Sequence, residues 1–268
     1  MFRILAGRHV RVLEAFAATK VVVAFDFDGT LAPLVEHPAK AAMRTSTRRL
    51  LTSVARLYPV AVISGRARRD VAMRIGAVPV RHVTGSHGLE PWGQRPAIRR
   101  LVSTWERLIA DDFGHVSGVD IENKGYSLTV HYRHVRVRKA RVVQAIRRLA
   151  RALPGARALD GIESVAMVPV DGPNKGTAVR LVRQRLACDT AIFVGDDETD
   201  EDAFGADIPS RLLGIRVGAS RRSRARYCLP AQQDIDEFLR VLVTCRLGSL
   251  AGAAERRSPA ELRPARRR

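Results

Sequence analysis

Cysteine is scarce in this 268-residue chain. Cys188, Cys228 and Cys245 are odd in number and widely spaced, so neither a disulfide framework nor a zinc ribbon can be read from them, and a reducing cytoplasm is the expected compartment. Aromatic residues make up only 5%, and they are not interleaved with the basic ones, which argues against a stacking platform for single-stranded nucleic acid. No apolar run approaches the roughly 18 residues a membrane helix needs. At the N-terminus Arg3, Arg8, Arg11 and Glu14 break up the apolar residues, leaving no room for a signal-peptide core of roughly 7–15 residues, so no leader is expected. Internal repeats are absent. Acidic residues are outnumbered, 27 against 46 basic, for a net charge of +19, and only five of the basic residues are lysine. Such a field attracts phosphates, acidic polymers or membranes but says nothing about fold. The 46% apolar content is that of an ordinary globular protein, with length enough for a real core.

The first strong strand signal is the β-branched run at 21–27, followed at once by Gly29. A helix is expected over 45–57, a strand over 60–63, a helix over 175–187, and strands over 191–194 and 214–217. This alternation predicts an α/β fold, a parallel sheet covered on both faces with functional loops at the C-terminal strand ends. Between the two blocks the pattern changes to a helix over 95–113, strands over 118–121 and 126–133 joined through Glu122-Asn123-Lys124-Gly125, a basic helix over 136–153 and a strand over 164–168. It reads as a small inserted α+β unit. The expected plan is a core in two parts, 1–90 and 171–250, an insert over 91–170, and a solvated, disordered tail over 251–268 with Pro259, Pro264 and six arginines.

Four places carry chemistry. Asp26 and Asp28 are two apart at the end of a buried strand, so both carboxylates project toward one loop opening. A divalent cation between them, or protonation of one, makes that tolerable; an Asx turn closing the strand is the plainer alternative. In Gly195–Asp202, six of the seven residues from Asp196 onward are acidic, again at a strand end. A hard cation held by carboxylate oxygens would explain the concentration, and helix-dipole preference accounts for part of it. The spacing does not fit an EF-hand. Ser64, in Ile-Ser-Gly-Arg, could offer its hydroxyl and the following amides to a phosphoryl oxygen, although Ser-Gly is also plain helix punctuation. Lys175 opens a helix, where its charge opposes the dipole and an anion is its natural partner, unless it is simply exposed. Its order, Lys then Gly, is not that of a Walker loop. His131 and His134, three apart on a strand, point to opposite faces, which disfavours a zinc site.

Taken in order, acid pair, hydroxyl, lysine and acid cluster resemble the haloacid dehalogenase superfamily of phosphohydrolases, whose DxDGT, Ser/Thr, Lys and GDD motifs correspond to Asp26–Thr30, Ser64, Lys175 and Asp196–Asp200. The resemblance implies a Rossmann-like doubly wound parallel sheet with an inserted α+β cap. It implies Asp26 as nucleophile, Asp28 as general acid and base, and Ser64 and Lys175 on the phosphoryl oxygens. Mg²⁺ would be held by Asp26, the Asp28 main chain and Asp196, with Asp197 and Asp200 assisting or orienting Lys175. Thr30, Gly65 and Arg66 are expected against the substrate.

The stretch 122–133, with Gly85–Glu90, is similar to trehalose-6-phosphate phosphatases, and the similarity covers roughly 20–240. That implies an enzyme acting on a small sugar phosphate, with Glu122, Lys124 and Arg133 on the sugar side of the cap and His87 near the cleft; from the composition the protein is expected to be soluble and cytoplasmic, and a monomer is expected. A polar hairpin turn is the plainer reading of 122–124. The chain departs from the family where a sugar-contacting Glu is usual: Ala166 stands there, and Glu163 falls on the opposite face of a strand. Sucrose 6-phosphate or glucosylglycerol phosphate are therefore alternative substrates. A basic nucleic-acid-binding protein is the alternative from another class, disfavoured by the scarcity of aromatics.

Overall fold

The computed structural model describes residues 1–91, 96–161 and 163–257. The chain opens with β1 (Phe2–Arg3), α1 (Val10–Ala18) and β2 (Val21–Phe25), continues through α2 (Thr45–Leu57), β3 (Val60–Ile63), α3 (Arg68–Ile75) and β4 (His82–Thr84), and then leaves the sheet. The insert comprises α4 (Pro96–Phe113), β5 (Asp120–Asn123), β6 (Leu128–His131), α5 (Lys139–Ala152), β7 (Ala156–Gly161) and β8 (Ser164–Pro169). The core resumes with α6 (Lys175–Arg185), β9 (Thr190–Gly195), α7 (Asp200–Phe204), β10 (Leu212–Val217), β11 (Tyr227–Leu229) and α8 (Ile235–Arg257).

Seven strands form one sheet in the order β1-β11-β10-β9-β2-β3-β4, every pair parallel. All five residues of β2 are buried, and the strand period of two divides them between two cores. Val21, Val23 and Phe25 pack with Leu13 of α1, Leu51 of α2, Val71 of α3 and Phe238 of α8. Val22 and Ala24 pack with Val179 of α6 and Phe204 of α7. This is why the run reads as continuously apolar rather than alternating. From β2 the chain winds one way through β3 and β4, then returns to place β9 on the other side of β2. The β2/β9 boundary is thus the switch point of the sheet, where a crevice opens at the C-terminal ends.

The cap is a four-stranded antiparallel sheet, β5-β6-β8-β7. Its inner face, including Leu128, Val130, Val165 and Met167, packs on Trp105 and Ile109 of α4 and Ile146 of α5. Strand β7, Ala-Arg-Ala-Leu-Asp-Gly, is absent from the sequence reading because it lacks a β-branched run and pairs only by virtue of its hairpin with β8. At the C-terminus α8 continues through 251–257, which the sequence reading gave to the tail: Ala, Glu and Arg dominate there and the first proline comes only at 259. The rest of that tail, 258–268, and Arg95 at the start of the expected first cap helix lie outside the described residues. Among the described residues no helix is long and apolar enough to cross a membrane.

Candidate active site

The switch point delivers the carboxylates. Asp26 follows β2 directly, its N–H donating to the Val194 carbonyl at 2.8 Å, so the ladder with β9 runs one residue past the strand. The chain then turns tightly, Gly29 donating to Ala32 and Ala32 to Phe27, with Gly29 at a φ of 77°. Glycine is required there twice over. The conformation is left-handed, and the Asp196 carboxylate lies where a Cβ would be. Thr30 Oγ donates to Asp196 Oδ1 at 3.0 Å, so this hydroxyl, expected against substrate, instead holds an acid from the neighbouring strand end.

Lys175 begins α6 behind the N-cap Asn174, whose side chain accepts from Thr177 N at 2.9 Å. The lysine is only 1% exposed. Its Nζ lies 2.7 Å from Asp200 Oδ1, 3.3 Å from Asp26 Oδ2 and 3.6 Å from Asp197 Oδ1. Asp200 uses its other oxygen to accept from the amides of Asp196 and Asp197, at 2.7 and 2.9 Å. It shapes the acidic loop and aims the lysine. Asp197 Oδ1 accepts from Thr199 N and Oγ and from Asp200 N. Burial pushes Asp26 well above the usual carboxylate range, Asp200 to about 8 and Asp196 to about 6. Burial acts on Asp197 too, but Lys175 and the Thr199 hydroxyl outweigh it and hold that group low. For Lys175 burial opposes the charge, and Asp197, Asp200 and Asp26 overcome it.

One buried cation therefore faces three carboxylates, with the charge of Asp196 nearby, an excess of negative charge that a divalent ion would relieve. Oxygens of Asp26, Asp197 and Asp200 lie within 4.8 Å of one another. Asp200 has both oxygens committed, however. Asp26 Oδ1, on a residue 4% exposed, is a buried acceptor without a hydrogen-bond partner. With Asp196 packed against the same turn, the donor set suits a hard cation.

Ser64 follows β3. The β2/β3 register pairs Phe25 with Val62, which brings Ser64 beside the Asp26–Phe27 strand end, and its Oγ accepts from Arg66 N at 3.2 Å. Gly65 gives room to the ring of His87, which packs where a Cβ would sit. That imidazole is half-buried with Nδ1 buried and unpartnered, and desolvation and then Lys175 push it down to about 3, so it is neutral. Arg66, expected on substrate, is committed elsewhere. Its fork holds both oxygens of Asp28, Nε to Oδ2 at 2.6 Å and Nη2 to Oδ1 at 2.7 Å.

The hairpin between β5 and β6 lies at the cleft end of the cap, since Asn123 pairs with Leu128 and Leu128 with Met167, next to Val168 and Pro169, which line the cleft with Arg157 of β7, His87 and Lys175. Glu122 binds Lys124 Nζ at 3.3 Å and His131 Nε2 at 3.1 Å, and the His131 hydrogen bond leads the causes that hold it below the usual range. Register sets Arg133 apart. Leu128 pairs with Met167 and His131 with Ser164, while Val168 and Pro169 continue into the cleft, so Arg133 lies beyond the end of β6 remote from it. Ala166 pairs with Thr129, itself opposite Glu122, so all three share the cap face turned from α4 and α5. Glu163 precedes β8 and binds Lys139 Nζ at 2.5 Å, away from that row.

No motif flagged Arg157. Its guanidinium crosses from the cap to bind both oxygens of Asp202 on α7, at 3.0 and 2.5 Å. Beneath this clasp, among His87, Pro169, Lys175 and Thr199, the cleft retains about 20 Å³, space for about one water. A second concavity, of about 670 Å³, lies against α5 by Tyr132, Gln144 and Arg148, and none of Asp26, Asp28, Ser64, Lys175 or Asp196 lines it. The cleft, not that groove, is where the chemistry converges. Arg157→Ala is expected to loosen the cap, with a larger radius of gyration in solution scattering and faster amide exchange in β7; unchanged values would show that the clasp does not hold the two parts together.

A parallel α/β core with acids at adjacent strand ends, a lysine at the next helix start and a cap inserted after β4 defines a hydrolase of the haloacid dehalogenase type. The same fold is found in a phosphatase of that superfamily from Bacteroides thetaiotaomicron, at a TM-score of 0.58 and 17% identity over 91% of this chain and 98% of that one. It recurs in the C-terminal domain of trehalose-6-phosphate phosphatase from Candida albicans, at a TM-score of 0.74 and 22% identity over 89% and 98%. The chain belongs to the trehalose-phosphatase family, whose profile matches residues 24–227. It is 36% identical over 256 residues to the trehalose-phosphate phosphatase of Mycobacterium avium, covering 87% of this chain and 62% of that protein. To the probable trehalose-phosphate phosphatase 9 of rice it is 28% identical over 278 residues, covering 89% and 74%.

Proposed function

We propose that this protein is a Mg²⁺-dependent phosphatase that hydrolyses trehalose 6-phosphate to trehalose and phosphate. Family membership supports the substrate; the observation that carries the chemistry is Asp26, buried at the switch point with Oδ1 unpartnered and Oδ2 beside Lys175. Asp26 attacks phosphorus in line and becomes an aspartyl-phosphate while the sugar oxygen departs with a proton from Asp28. Asp28 then takes a proton from the water that hydrolyses the acyl phosphate. Lys175 and Ser64 stabilise charge on the equatorial phosphoryl oxygens. Mg²⁺ held by Asp26, Asp196 and the Asp28 main chain would offset the repulsion between carboxylate and phosphate. Lys124, Glu122 and His87 form the polar wall toward the sugar, and the cap excludes water when shut. All these groups come from one chain, so a monomer suffices, and the free Cys188, Cys228 and Cys245 are compatible with the cytoplasm.

The test is phosphate release from trehalose 6-phosphate beside sucrose 6-phosphate, glucosylglycerol phosphate and glucose 6-phosphate, with and without chelator. Trehalose 6-phosphate is expected to be turned over fastest, with activity lost to chelator and restored by Mg²⁺. Preference for another glycosyl phosphate would keep the chemistry and overturn the substrate, with the Ala166 row as the cause. No release from any would reject the enzyme reading.

A further inference from the structure

We propose that Asp70 is a positioning residue for this reaction, fixing the Asp28 carboxylate through Arg66. The inference rests on the role given above to Asp28. Arg66 lies just before α3, and Asp70 and Arg74 follow it at intervals of four, on one face of the helix. Arg66 Nη1 donates to Asp70 Oδ2 at 2.8 Å, and Arg74 Nε donates to Asp70 Oδ1 at 3.0 Å. The result is an alternating row, Arg74, Asp70, Arg66, Asp28, in which each carboxylate oxygen of both acids has a guanidinium donor.

The row is anchored at the segment between β2 and α2. Arg66 Nη2 also donates to the Pro38 carbonyl at 2.8 Å, and Arg74 Nη1 donates to the carbonyls of Ala41 and Ala39 at 2.6 and 3.2 Å. The Arg66 side chain is only 13% exposed and lies over the Phe27 ring, its Cζ 5.9 Å from the centroid. Four of its five N–H groups are thereby assigned to Asp28, Asp70 and Pro38, and because the guanidinium is planar these partners define a single plane. Asp70 is the acceptor on the side away from Asp28. Without it the Nη1 donors face no acceptor, the plane can rotate, and the two-pronged grip on Asp28 loosens. Asp70 is about a third exposed, so solvent screening limits what its two ion pairs contribute to stability, and the larger consequence falls on geometry. A displacement of about 1 Å at a reacting group can cost roughly 100-fold in rate.

Leaving-group chemistry separates positioning from general damage. Nitrophenolate needs no proton to depart, whereas a sugar alkoxide does, and both routes need water activated in the second step. For Asp70→Ala, kcat on trehalose 6-phosphate should fall roughly 10- to 100-fold with KM within about 2-fold, and p-nitrophenyl phosphate should show a burst of nitrophenolate equal to the enzyme before a slowed steady state. The comparison variant is Arg48→Ala, which frees the C-terminus of α3, where Arg48 binds the carbonyls of Ile75 and Arg74, without touching Asp70. It should lower the melting temperature and leave kcat on both substrates intact. Unchanged kcat in Asp70→Ala, or an equal loss in both variants with no burst, overturns the proposal. Wild-type protein inert on both substrates removes the phosphatase reading and the task of Asp70 with it; active wild type beside an unaffected Asp70→Ala removes the positioning role alone.

Discussion

Asp26→Asn is expected to lower kcat by roughly four orders of magnitude or more, because the amide cannot serve as the nucleophile of a covalent route. The fold should survive. Asp26 is buried, its burial pushes it toward the neutral form, and Lys175 keeps Asp200 at 2.7 Å and Asp197 at 3.6 Å when the Asp26 charge is removed. Thermal unfolding of the variant should therefore match or exceed that of the wild type while phosphate release drops to background. A variant that retains a tenth of the activity would place the nucleophile elsewhere.

Lys175→Ala is expected to cost both activity and stability. The lysine is the one cation that the described side chains place among Asp26, Asp197 and Asp200, and removing it leaves buried carboxylates uncompensated, a loss of about 3–5 kcal/mol by the usual cost of breaking a buried pair. The pH dependence has a definite sign. Asp200 and Asp196 already titrate near 8 and 6 in the folded state, above the unfolded carboxylate value, and Lys175 is among the causes that lower both. Without it they rise further. A group whose folded pKa is raised contributes stability that is present below its unfolded pKa and lost as pH rises through the folded one. The deficit of Lys175→Ala against the wild type should thus be largest above pH 8 and shrink toward pH 5, as urea unfolding across that range would show. A deficit that grows on acidification would contradict the assignment of the unpaired charges.

Much of the candidate site was legible because its groups sit at the ends of strands that announce themselves. Val21–Phe25 and Ala191–Val194 carry strong β signals, so Asp26 and Asp196 could each be placed at the C-terminal end of a strand before any contact was known; that the two strands are neighbours is a matter of long-range pairing. Lys175 stood out by opposing a helix dipole, and its three carboxylate partners give that oddity its reason. What the sequence hides is everything set by side-chain direction and long-range pairing. Nothing local tells that Arg66 turns to Asp28, that Thr30 serves Asp196, or that Arg133 sits at the far end of β6. Arg157 was invisible for a deeper reason: β7 has no pattern of its own, and its meeting with Asp202 spans 45 residues and two sheets. In the cap, polar residues on an antiparallel strand read equally well as a solvated face or as a sugar wall, and only the pairing of Glu122, Thr129 and Ala166 across three strands shows which of them share a surface.

The most direct test is to acid-quench the enzyme within its first turnovers on trehalose 6-phosphate and to locate the phosphoryl group by mass spectrometry of its peptides. The account predicts a transient phosphoryl group on Asp26, absent from Asp26→Asn. Phosphate release with the label on another residue, or undiminished turnover by Asp26→Asn, would contradict it.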